Sequence, residues 1–213
     1  MTRAPFALLG GGWVSAAGSG MLREGSPPKF PAGPPQIPPA GELFDHPLGR
    51  YGRFDDFTKM GCAAVALALR DSKVKTGGEK LPIGAVLSTE FESTTTDLAY
   101  YETTMVLDGA MASPNLFSYT LPGIVLGECA VHFGLIGPTF CLGESNKRGI
   151  AALSTALRML ERGSCEGILA GWVDDPTVLG EQTDRAAGAL FVYLTATETD
   201  TAIARLTRNA SAV

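Results

Sequence analysis

The sequence predicts an α/β sandwich, with helices packed over a sheet, and three observations carry that expectation. Short apolar runs of strand length alternate with longer stretches whose apolar residues recur every three or four positions. One stretch, Gly137 to Asp174, joins the two patterns: a strand at Thr139–Leu142, a tight turn at Gly143, a helix, a reversing Gly163 and a second strand at Ile168–Val173. In that helix Gly149, Ala152, Leu153, Ala156 and Leu160 share one face. Third, 213 residues with 45% hydrophobic content can bury one sizeable core, so a single unit over 1–213 is expected.

Taken in order, Phe6 to Leu9 reads as a buried strand entering a tight turn at Gly10-Gly11-Gly12. GGGWVS is not a dinucleotide fingerprint, because Ser15 stands where the third glycine belongs and no strand with a suitably placed acid follows. Seven prolines between Pro27 and Pro39 forbid a helix or a central strand. They predict an extended surface loop at about 25–47, anchored by Phe30, Ile37, Leu43 and Phe44. A proline-rich ligand for a recognition domain is the other reading of that segment.

Asp55 or Asp56 caps a helix in which Phe57, Met60, Ala64, Leu67 and Ala68 face one way, ending near Asp71. Leu81 to Ser88 is a second buried strand. Asp97 to Gly109 follows as a helix with Leu98, Tyr101, Met105 and Val106 on one side. Ser113-Pro114 interrupts the chain, and Pro122 suits the first turn of a helix that stops at Gly134. Thr177 to Ala186 reads as a loop, Ala189 to Ala196 as a last core strand, and the final residues as an edge strand.

A net charge of -5, with Lys and Arg in ones and twos, argues against a nucleic-acid partner. No apolar run approaches about 18 residues, so no membrane span is expected. The opening MTRAPFALLGGGWVSAAG suits a first strand better than a signal peptide. Cys62, Cys129, Cys141 and Cys165 lack CxxC or Cys/His spacing. They are expected to be free buried thiols of a cytoplasmic protein, with no zinc and no cofactor.

A strand that turns into a helix places the turn at the helix's partly positive end, where many α/β enzymes keep a nucleophile. The turn here is Glu144-Ser145-Asn146-Lys147. Ser145 does not lie in a G-x-S-x-G elbow, and no Asp…His pair follows it. Cys141 belongs to the strand. Glu144 and Lys147 read as exposed ions that pair with each other or with a partner, a contact of about 0 to 1 kcal/mol. A structural turn is the expected role of all four.

Several segments together resemble the N-terminal half of a β-ketoacyl synthase. LLGGGWVSAAG is similar to that family's opening strand, YGRFDDFTKMGCAAVALALRDS to its first long helix, and SPNLFSYTLPGIVLGECAVHFGLIGPT to the lead into its nucleophile strand. LERGSCEGILAGW and GALFVYLTATE resemble the two strands that follow. The resemblance implies a thiolase-like layered sandwich, with this chain as a single N-terminal half. Aligned without gaps from Gly137-Pro138 and Gly149, the family's catalytic cysteine falls on Asn146, which cannot form an acyl thioester. The family's catalytic histidines and lysine belong to the C-terminal half. Of the two histidines here, His46 and His132, the latter reads as a core or interface residue.

That pattern is similar to chain-length factors, the cysteine-less partners of active ketosynthases in type II polyketide systems, with related subunits in aryl-polyene-type clusters. Asn146 is not their usual glutamine. The resemblance implies a non-catalytic subunit that pairs with a catalytically complete ketosynthase and shapes its acyl tunnel, in polyketide or fatty-acid-type biosynthesis. Leu98, Tyr101, Thr104 and Met105 occupy positions similar to the family's tunnel and interface residues, simple helix core being the other reading. Thr139, Phe140, Cys141 and Leu142 form the strand that pairs across the family's dimer. A lone half would leave apolar faces and that edge uncovered, so a stable partner, or failing that a self-dimer, is expected. Two further readings stay open: a scaffold that docks acyl carrier protein or other synthase components, and an independent acyl-thioester enzyme with a non-standard nucleophile.

Overall fold

The structure, a computed structural model, describes residues 6–25, 27–145, 148–180, 184–197 and 199–206. β1 (Phe6–Ser15) and β2 (Gly18–Met21) form a hairpin. The proline-rich segment leads to one turn of helix, α1 (Ala40–Leu43), and then to the long helix α2 (Asp56–Asp71). There follow β3 (Ile83–Thr89), α3 (Thr94–Thr104), a short α4 (Pro114–Phe117), α5 (Ile124–Phe133) and β4 (Thr139–Gly143). α6 (Ile150–Glu161), β5 (Gly167–Asp174), β6 (Gly188–Thr195) and β7 (Ala204–Leu206) complete the described chain.

The strands form one sheet in the order β2-β1-β6-β5-β3-β4, with β7 also on β1. β3 runs parallel to both β4 and β5, which requires helical crossovers, and α5 and α6 supply them. β6 is antiparallel to β5 and β1. Alternation along the strands sorts the core into two layers. Ala85, Leu87, Leu169 and Val173 point into the larger one, beneath α2 and α5. Val86, Ile168 and Ala170 point into the smaller one, beneath α6. β4 is the outermost strand, and Thr139 and Phe140 on it are exposed.

The glycine triplet is not a turn. β1 runs straight through it to Ser15, with a register shift between Leu8 and Gly10. The reason is the proximity of α2: a Cβ on Gly12 would come within 2.5 Å of Ala68 N and Leu67 Cβ, and closer still to the Ala64 carbonyl. The glycines thus let a helix lie directly on the strand. The Gly11 N–H donates to buried Asp71 Oδ2 at 2.9 Å, which ties β1 to the end of α2.

α2 also departs from expectation. Asp55 caps it, accepting from Thr58 N at 2.9 Å, but its apolar residues do not keep to one face. Thirteen of its residues are buried, because the sheet covers one side and α5 the other. Its alanines and Gly61, which lies against Val125, give the close spacing such a central helix needs. Pro122 precedes its helix, which starts at Ile124 after Gly123. Ser113 caps the short α4, accepting from Leu116 N.

The proline-rich loop is fastened to the first hairpin. Ser15 Oγ donates to Lys29 O (2.6 Å), and Gln36 reaches Ser15 O and Ala16 O at 2.9 Å each. Phe30 packs edge-on against Trp172 at 4.9 Å and Trp13 at 6.4 Å, while Leu43 and Phe44 enter the core.

Candidate functional site

The C-terminal ends of β3, β4 and β5 lie side by side, with Thr89 opposite Gly143 and Ser88 opposite Trp172. From β4 the chain turns into α6, whose cap, Gly149, has φ 93 and leaves little room for a Cβ, which would come 3.0 Å from the Trp172 indole. The Arg148 guanidinium sits 5.3 Å from the centre of the same ring. Asn146 and Lys147 lie outside the described residues, and Ser145 is exposed.

Glu144 is not the exposed ion expected from the sequence. Its carboxylate folds over the start of α6, accepting from Gly149 N (3.0 Å), Ala151 N (2.8 Å) and Ser88 Oγ (2.7 Å). The free N–H groups of a helix's first turn are an anion site, and here the chain's own carboxylate fills it. No capping-box spacing announces this, since Glu144 stands five residues before the cap and acts from the end of the preceding strand.

Asp174, at the end of β5, is locked in the same way. Its Oδ1 accepts from Thr89 Oγ1 (2.9 Å), Glu90 N (2.7 Å) and Phe91 N (3.1 Å), which fixes the turn after β3. Burial raises its pKa above the ordinary carboxylate value, the three donors offsetting only part of that. A raised folded pKa means that its favourable contribution is present below the unfolded value of about 4 and is lost as pH rises through the folded one. Asp174→Asn keeps an acceptor and removes the charge, so its stability should gain on that of the parent between pH 4 and 7. Asp174→Ala orphans three donors and should cost about 2 to 3 kcal/mol at pH 4, and less at pH 7, where the parent has lost part of the Asp174 contribution. Urea melts at the two pH values check both outcomes.

The remaining candidates among the described residues lie in separate parts of the fold. Cys141 is half-buried on β4, and desolvation, helped by Glu92, pushes its thiol up to about 11, so it stays protonated at neutral pH. Cys165 is also half-buried, whereas Cys62 and Cys129 are buried between α2 and α5. The two histidines lie near the other end of β3, beside residues 73–77. Half-buried His132 packs edge-on against Phe44 and Phe133, and burial, reinforced by His46, lowers its pKa. Among the described residues no group of His, Cys, Asp and Glu could hold a metal ion. None of the described helices is long and apolar enough to cross a membrane.

The α3 residues are not helix core. Leu98, Tyr101 and Met105 are 49%, 58% and 66% exposed, Thr104 is half-buried, and Met105 caps the helix while Val106 lies beyond it. After them the chain takes a left-handed turn through Leu107, Asp108 and Gly109, with Leu107 73% exposed. With Met111, Phe117 and Leu121 this stretch presents apolar side chains to solvent, and Phe140 on the outer strand β4 is exposed as well. Cys141 and Leu142 are half-buried.

A mixed sheet with helices on both faces and a strand–turn–helix at its outer strand is the framework of thiolase-like ketosynthases. The chain's similarities agree with that class. Residues 40–191 match the model of the β-ketoacyl synthase N-terminal domain, and the chain belongs to that family. A Streptomyces violaceoruber protein bearing the name granaticin polyketide β-ketoacyl synthase 1 is 28% identical over 131 residues, which is 58% of this chain and 31% of that one. The ishigamide ketosynthase/chain length factor structure matches with a TM-score of 0.66 at 16% identity, covering 92% of this chain and 63% of that one. A type II acyl-carrier protein in complex with its ketosynthase gives 0.65 at 16% identity, covering 91% and 63%. A β-ketoacyl synthase from Burkholderia phymatum gives 0.61 at 16% identity, covering 92% and 59%. The chain thus spans less than two thirds of each of these relatives.

Proposed function

We propose that the chain is a non-catalytic, chain-length-factor-like subunit that pairs with a catalytically complete ketosynthase and forms part of its acyl tunnel. The observation that carries this reading is the turn before α6. The strand–turn–helix is kept, yet Asn146 stands where the family's cysteine aligns and Glu144 occupies the helix donors. The exposed apolar residues of α3 and of the turn after it supply a surface for the partner, and the unpaired side of β4 offers strand addition.

Co-expression with a ketosynthase from the same gene cluster, followed by size-exclusion chromatography, tests the pairing. The two are expected to elute together, and persistent separate elution overturns the reading. In the complex, Tyr101→Ala and Met105→Ala remove wall atoms, each methylene being worth about 0.8 kcal/mol of apolar transfer. Both should lengthen the product. Normal association with an unchanged product distribution would make the subunit a scaffold, with acyl carrier protein as one component to dock. The purified chain alone, given acyl thioesters, is expected to form no covalent adduct by intact mass.

A further inference from the structure

Far from the strand–turn–helix, a cavity of about 520 Å³ opens between the C-terminal ends of α2 and α5 and the segment after α1. Its floor is apolar, built by buried Leu43, Phe44, Leu69 and Phe133. Its rim is cationic: Arg70, Lys73 and Lys75 line it, and so do both histidines of the chain. Asp45 is the one carboxylate among the described lining residues, and none of the three cations forms an ion pair with a described carboxylate. This concentration of positive charge belongs to a chain of net charge -5.

Three details define the rim. Lys73 has φ 59, a left-handed position just past α2 where glycine is the ordinary choice. The His46 ring lies on Gly77, φ 82, where a Cβ would come within 2.9 Å of the imidazole. Arg70 is held in place by donating from Nη2 to Leu43 O at 3.0 Å. Arg70 and Lys73 also offset the partial negative charge of the α2 end, but Lys75 and His46 lie outside that helix and have no such duty.

We propose that this cavity binds an organic anion, in which a small apolar group on the floor carries a phosphate or carboxylate head to the Arg70–Lys73–Lys75 rim. A volume within the ordinary range for ligand pockets, an apolar base and three cationic residues on the lining fit that class. None of its lining residues lies on α3 or β4, the elements assigned above to the partner and the acyl tunnel.

Because both histidines line the cavity, their imidazole C–H signals in a proton–carbon NMR spectrum report on it alone. The intact chain is titrated with phenyl phosphate, benzoate and, as the uncharged counterpart, benzyl alcohol. At least one anion is expected to shift both imidazole signals saturably, with a Kd of about 1 mM or tighter. Whichever of the two binds more tightly identifies the head group. Lys73→Gly combined with Lys75→Gln should weaken binding about tenfold or more, while Lys29→Gln, elsewhere on the surface, leaves it unchanged. Lys73→Gly relieves a left-handed lysine, so lost binding cannot be laid to lost fold. No saturable shift with either anion, equal binding of benzyl alcohol, or unchanged affinity in the double variant would each overturn the proposal.

Discussion

Gly12→Val is expected to yield no folded protein. The added Cβ alone would press into the α2 backbone at Ala68 N and the Ala64 carbonyl, and neither can rotate away as a side chain can. Relief requires lifting α2 off β1, which opens the larger core along its length. Overpacking usually costs about 1 to 3 kcal/mol, and more where backbone is displaced, against a total stability of about 5 to 15 kcal/mol. Gly12→Ala already carries the clash and should lower the melting temperature sharply. Gly127→Ala is the contrast. It lies within α5 with open space at its Cβ, and should stabilise by about 0.5 to 1 kcal/mol. Circular-dichroism melts of the three variants settle the matter, and a folded, cooperative Gly12→Val protein would refute the close-packing account.

The second large effect concerns Glu144. Glu144→Ala empties the start of α6 of its carboxylate and leaves Gly149 N, Ala151 N and Ser88 Oγ without their acceptor. The expected loss is about 2 to 3 kcal/mol, that of a helix cap plus a charged hydrogen bond. A chemical consequence follows. A thiol placed by Asn146→Cys would gain little from a helix end already neutralised by a carboxylate. Its pKa should remain at or above the usual value of about 8.5. In the Glu144→Gln/Asn146→Cys double variant the carboxylate charge is gone, and the thiol pKa should fall. Iodoacetamide alkylation rates measured against pH read both values. A thiol pKa below about 7 in Asn146→Cys alone would mean that Glu144 does not quench the helix end.

The layered α/β architecture was legible in the sequence because its signals are local. The apolar runs that became β3, β5 and β6 and the three- and four-residue spacing of α6 each report burial on their own. What escaped depends on partners distant in sequence. Gly10 to Gly12 look like a turn until α2, some fifty residues later, is laid on them. The α2 pattern looks one-sided until α5 covers its other face. Glu144 looked solvated because its partners, Ser88 and Ala151, lie on another strand and on the following helix. The apolar residues of α3 are few and make no clear one-sided stripe over Thr94–Thr104, unlike those of α6, and the finished packing leaves Leu98 and Tyr101 outside. Among the site residues, position in the strand–turn–helix could be read, but the bonding of its carboxylates could not.

Phe30 gives the molecule an optical property. The chain has two tryptophans, Trp13 on the first strand and Trp172 beside the turn into α6, and Phe30 of the proline-rich loop touches both. The Arg148 guanidinium and Gly149 lie beside the same Trp172 ring. Intrinsic fluorescence therefore reads two events without any added dye. Loosening of the loop perturbs both emitters at once, whereas rearrangement at the start of α6 perturbs Trp172 alone. Trp13→Phe and Trp172→Phe variants would separate the two channels, so that a docking partner could be located by the colour of the light it changes.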